Sequence, residues 1–499
     1  MLDQNSPEQT LDTEQTTETF DLVVVGAGVA GLNALYSATE YLPKGAKVLL
    51  IDEKQDAGGM WNTAYDYVRL HQPHPMFTVG DMRWDWSQPR DYLARRDEVR
   101  DHLASSLAEV SKKVDLKTAF GHTVTDLSEI ETGDGHRARV TFQPTEGDKK
   151  PRTVLAHRAI HASGLNYHLA EPLALSSSNV VSIIPQDLQE ALSTHPGTPL
   201  IVVGGGKTGM DTILAALAQN PMRSITLVNG PGTNFLNRTK YIPTGIRRWT
   251  SGELVSRLFR DLALHFDGDN EEHTISYFRK THSTDTESDN GVFLYGLQSE
   301  EELAQIKAGL SKTHNGYLAD ISDGETGPVL TLRDGTSTEV EPGSIVVNCT
   351  GSFFRAPDMA DTLPCLSPHK TVVSINARDG FHFLTSVSGF FFIHLLYRGE
   401  LTGKGFYRLD HEALFRQNRN AWVGASAAQA YMNQVIAVQT LPMMLLDRCG
   451  LDLDRWYPLP RRMAGLMRMK STATQDIAHC RAALDRVADR FGVRCGPID

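Results

Sequence analysis

Twice along the chain, a short run of aliphatic and β-branched residues passes into glycines and then into a helical pattern. Residues 22–35 read LVVVGAGVAGLNAL and residues 200–213 read LIVVGGGKTGMDTI. Each predicts a buried strand, a tight turn and a helix. Lys47–Ile51 (KVLLI) and Ser224–Val228 (SITLV) predict the strand that follows each repeat, the first after an extended crossover at Tyr41–Lys47. The charged amphipathic stretch Arg95–Val110 predicts a surface helix, and alternation predicts short strands over Arg137–Phe142 and Thr153–Ile160. Val329–Arg333, Thr338–Glu341 and Ser344–Asn348 predict a hairpin leading into another buried strand. The polar, acidic residues 265–290 predict an exposed loop. Phe381, Phe383 and Phe390–Phe392 predict a buried strand core in preference to a pocket lining, with His394 a satisfied core histidine. From Glu412 onward the pattern is helical and amphipathic, with Pro458–Arg462 breaking it.

The two repeats share one chemistry. Gly26, Gly28 and Gly31, and again Gly204, Gly206 and Gly209, form G-x-G-x-x-G between strand and helix. The first glycine allows the turn, the second lets backbone approach a pyrophosphate, and the third lets the helix pack on the sheet. The helix N-terminus then offers N–H groups to the phosphates. Asp52 or Glu53, at the end of the second strand, can accept hydrogen bonds from a ribose; the matching position after the second repeat is Asn229. Lys207 and Thr208 lie inside the second loop, and Lys207 is either a phosphate partner or a solvated lysine. Arg238 and Lys240 are the nearby cations that can meet a 2′-phosphate.

Composition removes several alternatives. The chain of 499 residues is 40% hydrophobic and 22% charged, the balance of a globular protein with more than one core. A net charge of −11 argues against a broad nucleic-acid surface. The longest apolar run, Gly389–Leu396, is far too short to span a bilayer, for which about 18–20 residues are needed. The first twenty residues hold five acids and no Lys or Arg, which predicts a disordered tail over residues 1–19 and no targeting peptide. Five cysteines, at 349, 365, 449, 480 and 495, form no closely spaced pair and fit a reducing, cytoplasmic setting. His71 and His74 have no further ligand cluster nearby, and no metal site is expected.

The order of these motifs resembles that of the class B flavin-dependent monooxygenases. Gly58-Gly59-Met60-Trp61 is similar to the family's GGxW, and Tyr65–Pro73 (YDYVRLHQP) to the stretch that passes near the flavin ring. Arg95–Val99 resembles the helix that follows, while His161–Gly164 and Cys349–Gly351 stand where the family places ATG-like turns. The resemblance covers residues 20–400. It departs at Val180–Leu188, where the family's FxGxxxH motif is missing, and at Asn229, where a 2′-phosphate arginine often stands.

The resemblance implies an α/β fold of two Rossmann-like domains, the nicotinamide domain inserted into the FAD domain. Its boundaries would be 20–165 and 346–499 for FAD and 198–345 for nicotinamide, with 265–290 a polar insert. It implies FAD held by Gly26, Gly28, Gly31, Asp52 or Glu53, Gly59, Met60, Trp61 and Gly351, and NADPH, with NADH still open, held by Gly204–Gly209 and Arg238. One oxygen atom of O2 would enter a small organic substrate through a C4a-(hydro)peroxyflavin, in specialised metabolism and in a homodimer. His71 and Gln72 would support that adduct, or merely cap the preceding strand. No cysteine precedes position 349, so a flavin-side dithiol is absent. Two other readings stay open: an FAD oxidase or dehydrogenase with a vestigial nicotinamide site, and a non-catalytic flavin-binding regulator.

Overall fold

Two sheets, the first mixed and the second parallel, form around the two glycine repeats. The computed structural model describes residues 18–147, 150–164, 169–288, 291–351, 354 and 363–499. In the first sheet, β1 (Thr19–Val25) is central and pairs in parallel with β2 (Lys47–Asp52) and with Arg152–His161. Asp115–Phe120 extends the parallel side, and Gly135–Pro144 and His122–Thr132 add an antiparallel meander on the other. Leu22–Val25 are buried on both faces, which is why they read as an unbroken apolar run. The chain returns to this sheet only at Val372–Ser374, which pairs with Ala159–His161.

The second sheet is wholly parallel. Its order is Lys312–His314, Ile225–Val228, Leu200–Val203, Ile345–Asn348 and Val181–Ile183. Val181–Ile183 and Ile345–Asn348 therefore both lie in the second sheet, widening it beyond 198–345 on either side. The expected hairpin forms, Pro328–Leu332 pairing with Ser337–Glu339, and Leu318–Asp323 adds a third antiparallel strand.

Helices close both units. α1 (Val29–Ala38) is buried almost all round, and the helix Thr385–Tyr397 crosses it. A Cβ on Gly389 would lie 2.3 Å from the Ala30 carbonyl oxygen, so only glycine permits this crossing. The surface helix forms over Arg96–Ser111, with Val99, Leu103 and Val110 buried.

Four expectations are corrected. Residues 1–17 lie outside the described residues, but Glu18 and Thr19 are ordered: β1 begins at Thr19, and Glu18 pairs with Lys117. Within 265–290, Glu271–His282 is a helix that buries Thr274, Ile275, Phe278 and His282. Its acids stand in the first turn and its cations in the last, matching the helix dipole. Of the phenylalanine-rich segment, Phe390–Phe392 lie in a helix and Phe381 and Phe383 in the non-helical turn before it, because an all-apolar run carries no period to separate buried helix from buried strand. Pro458–Arg462 does not interrupt a helix but starts the last one, Leu459–Phe491, with proline in its first turn. No described helix is long and apolar enough to cross a membrane.

Candidate cofactor and substrate site

The first glycine loop is built as a bare cradle. Gly26 has φ +104°, and a Cβ there would lie 2.4 Å from the Ala162 carbonyl oxygen. Gly26 N–H donates to Ile51 O (2.7 Å) and Ala162 N–H to Val25 O (2.7 Å), so neighbouring strands hold the turn. A Cβ on Gly31 would meet the Gly26 carbonyl oxygen at 1.8 Å, fixing glycine where helix meets loop. The N-terminus of α1, at Gly28, has no side-chain cap. Gly59 packs over it, a Cβ on Gly59 falling 2.8 Å from Gly28 Cα. Asp52 is buried, and its carboxylate accepts from Ala27 N–H (2.5 Å) and Lys54 N–H (2.8 Å). Burial raises its pKa despite those donors. Glu53 faces solvent beside Lys54 (2.9 Å). Of the two acids, Asp52 is the one tied to the loop. Met60 is exposed, whereas Trp61 is buried edge-on to Phe77, their ring centroids 5.8 Å apart.

The second loop repeats the geometry. Gly204 has φ +115°, with Cys349 O at 2.8 Å from its would-be Cβ, and a Cβ on Gly209 would lie 2.0 Å from Gly204 O. Gly204 N–H donates to Val228 O (2.9 Å) and Cys349 N–H to Val203 O (2.8 Å). The two ATG-like turns thus back the two loops in the same way. Gly351, past the second of them, is exposed. Nothing stands within 4 Å of a Cβ on Gly206. The helix Lys207–Gln219 starts at this open edge without a side-chain cap. Asn229 turns its side chain over Gly205, its Oδ1 1.7 Å from where a Cβ would be. Beyond it, the half-exposed Tyr317 stands against Gly230, and the exposed Arg333 lies over the Tyr317 ring at 5.4 Å.

The expected cations are engaged elsewhere. Lys207 forms an ion pair with the buried Asp211, so it is neither solvated nor unpaired. Arg238 pairs with Glu302 (2.8 Å) and donates to the His71 carbonyl oxygen (3.2 Å); Lys240 pairs with Glu253 (3.4 Å). Tyr317 and Arg333 carry no joint signal in the sequence, because the antiparallel strands bring Arg333 to Tyr317 from a separate stretch of chain.

The stretch 65–73 joins the two units. Tyr65 Oη donates to Asp211 (2.9 Å), and Tyr67 Oη shares a hydrogen bond with Thr212 Oγ1 (2.9 Å). Gln186, in the segment where FxGxxxH is missing, donates to Thr63 O (3.1 Å). His71 and Gln72 make no side-chain hydrogen bond among the described residues. Burial, with Lys207 and Arg238 nearby, pushes the His71 pKa down to about 3, so its ring is neutral. His74 is set apart, edge-on to the stacked pair Trp84 and Trp86. Among the described residues no three His, Cys, Asp or Glu converge on a metal position.

His71 and Gln72 open onto a cavity of about 630 Å³. Phe77, Phe259, Tyr295, Phe381, Phe383 and Phe391 form much of its wall. Ala430, Asn433, Gln434, Ala437 and Val438 present one face of the helix Arg419–Thr440 to it. The aromatic segment thus both lines a pocket, through Phe381, Phe383 and Phe391, and fills the core, through Phe390 and Phe392. His394 is buried but only half satisfied: its Nδ1 shares a hydrogen bond with Tyr41 (2.9 Å), while its Nε2 has no partner among the described residues.

Comparison with known proteins places this geometry in context. Residues 20–323 match the family model described as pyridine nucleotide-disulphide oxidoreductase. An uncharacterised protein of Mycobacterium tuberculosis (strain ATCC 25618 / H37Rv) is 30% identical over 218 residues, 42% of this chain and 37% of that protein. The FAD-containing monooxygenase EthA of Mycolicibacterium smegmatis is 22% identical over 215 residues, 42% of each chain. The matched stretch thus spans well under half of these relatives' own length. A cyclohexanone monooxygenase in its open form superposes with a TM-score of 0.49 at 15% identity, over 92% of this chain and 99% of that one. A flavin-containing monooxygenase from Stenotrophomonas maltophilia gives 0.45 at 15% identity, over 77% and 98%.

Proposed function

The chain belongs to the pyridine nucleotide-disulphide oxidoreductase family, and from that membership we propose that it is an FAD-dependent monooxygenase that uses NADPH. The disulphide branch of that chemistry lacks its reagents here. All five cysteines are unpaired, and burial pushes each thiol up to about 12, far from a reactive thiolate. One observation carries the oxygenase reading: His71 and Gln72 line the large apolar cavity, with Lys207, at the start of the second loop's helix, close enough to act on the His71 ring. The relatives that bear a monooxygenase name point the same way.

The residues present fit the two cofactors. The uncapped α1 N-terminus suits a pyrophosphate, and Asp52, tied to the loop at the end of β2, would meet the ribose. Gly206 and the helix beginning at Lys207 would hold the nicotinamide dinucleotide, with Tyr317 and Arg333 at its adenosine end. FAD, when bound, supplies hydride acceptance and activation of O2. The chain's own part is to position and to exclude water. Neutral His71 and Gln72 offer donors to developing negative charge, and the aromatic wall keeps that charge dry.

The test separates oxygen transfer from hydride transfer. His71→Ala and Gln72→Leu should keep flavin and be reduced by NADPH at close to the wild-type rate. Most of the reducing equivalents should then appear as hydrogen peroxide, measured against NADPH consumed. Unchanged coupling in both variants would remove these residues from the oxygen chemistry. Absence of any NADPH reaction in the unaltered protein would favour an oxidase instead.

A further inference from the structure

Exposed apolar side chains gather in one region of the surface. Of the thirteen large hydrophobic residues exposed among the described residues, seven belong to three neighbouring segments. Leu459, Met463 and Met467 recur at intervals of four, which sets them along one outward stripe of the last helix, Leu459–Phe491. Leu459 and Met463 border the large cavity together with Met443 and Met444, so the segment Met443–Leu446 lies beside the stripe. Ile246 and Trp249 adjoin the first turn of the same helix. Arg461 donates to the carbonyls of Arg248 (3.0 Å) and Gly252 (2.6 Å), tying their loop to it. Met444 is 76% exposed, Ile246 73%, Met467 62% and Trp249 57%. Single exposed apolar residues are ordinary on a protein surface, but a cluster of them marks a contact face.

The charge of this region is the reverse of the chain's. Residues 243–252 and 455–475 hold seven arginines and lysines and no acid, in a chain of net charge −11. Of the seven, only Arg462 forms an ion pair among the described residues, with Asp447 (2.7 Å). Arg90 and Arg248 lie over the Trp456 ring, at 5.5 and 4.8 Å. Burial and the neighbouring Arg248 and Arg455 pull the Arg90 pKa down, as expected where cations gather with no anion between them. Asp452 and Asp454 line the cavity and accept from backbone N–H groups, Asp452 from Asp454 (2.9 Å) and Asp454 from Val255 (2.7 Å) and Ser256 (3.2 Å). Arg468 and Lys470 are exposed at the far end of the stripe.

An apolar helical stripe, a tryptophan beside it and cations around both suit the surface of a bilayer. The apolar side chains enter the acyl boundary, the indole sits at the headgroups and the cations meet lipid phosphates. A second copy of the chain fits worse, because a twofold pairing of this face would set its cations against their own kind.

We propose that this face docks on a bilayer surface carrying anionic phospholipids, with Leu459, Met463, Met467 and Trp249 in the interface.

The test is sedimentation of the flavin-loaded full chain with lipid vesicles, which reads binding and needs no turnover. Phosphatidylcholine vesicles with about 30% phosphatidylglycerol should bind the protein at least about tenfold more tightly than phosphatidylcholine alone, and high salt should weaken that binding. Arg468→Gln combined with Lys470→Gln should weaken it about 20-fold, roughly fivefold for each cation removed. Met467→Asp, at an exposed position outside the cavity wall, should weaken it about tenfold with flavin absorbance and melting temperature unchanged. Equal binding to both vesicle types, or none to either, would overturn the proposal. So would anionic-vesicle binding that both variants retain in full. Sedimentation velocity reads the other occupant: a dimer that Met467→Asp splits, without vesicle binding, would overturn the proposal and give the face to a second copy.

Discussion

The two glycine loops share a backbone and differ in their surroundings. In both, the first glycine has φ above +100° and the third lies against the carbonyl of the first. The first loop is roofed by Gly58–Trp61 and braced from beneath by Asp52. The second faces open space at Gly206, and a neutral Asn229 takes the place of the acid. A roofed cradle suits a group that stays through every turnover, and an open one suits a group that must leave. On the proposed assignment, the difference between a resident and an exchanging dinucleotide would lie in the neighbours of the loop, not in its glycines.

The sharpest way to break this contrast is the same substitution in both loops. Gly28→Val places methyls against Gly59, where even a Cβ already stands 3.4 Å from its Cα. It should purify without flavin, an affinity loss of about 100-fold or more, read from the absorbance near 450 nm on the order of one flavin per chain in the unaltered protein. Gly206→Val has room for its side chain, so it should fold normally and stay yellow. Its reduction by NADPH in an anaerobic stopped-flow experiment should slow by roughly 100-fold, because the valine occupies the pyrophosphate's approach. Flavin loss from both variants alike would show that the two cradles are not distinct.

A smaller effect sharpens the open side. Arg333→Ala should weaken 2′,5′-ADP binding by roughly 10- to 100-fold, the worth of charge-assisted hydrogen bonds, with 5′-AMP unchanged in calorimetric titration. Equal loss for both nucleotides would assign Arg333 to adenine alone.

Acid should act on the closed side. Burial lowers the pKa of His71, His382 and His411 to about 3 and of His102 and His394 to about 4. All five lie outside the second sheet and its helices. The unfolded chain takes up these protons below pH ~6.5 and the folded chain does not, so the stabilisation is whole above that pH and lost progressively as pH falls toward about 3. Each histidine contributes a slope of up to ~1.4 kcal/mol per pH unit. The melting temperature should drop between pH 7 and pH 5, with flavin fluorescence released in the same transition. A flat profile over that range would mean these rings are solvated.

Much of the frame was legible because it is local. A strand, three spaced glycines and a helix form one contiguous device, and both copies could be read from their own dozen residues. Their order after GGMW singled out His71 and Gln72, which line the cavity. The cavity was not legible, since its wall joins residues 71–77, 381–391 and 430–469, and no short window contains two of those segments. The helix Glu271–His282 was hidden by a polar composition in which few apolar residues mark its buried face. The partners of Lys207 and Arg238 were equally invisible: an isolated cation in a sequence does not announce the Asp211 or Glu302 that will occupy it.

The late return of the chain to its first sheet bears on how the molecule is made. A ribosome releases β1, β2 and Arg152–His161 early, but the strand Val372–Ser374 and the helix that covers α1 follow only after the whole second sheet has emerged. The second sheet is completed earlier, once Ile345–Asn348 joins Leu200–Val203 and Val181–Ile183. The first must wait with Leu22–Val25 and α1 incompletely covered, held open by contacts of long sequence separation. Newly made chains should therefore need chaperone shelter mainly for their amino-terminal third, and acquire their yellow colour last.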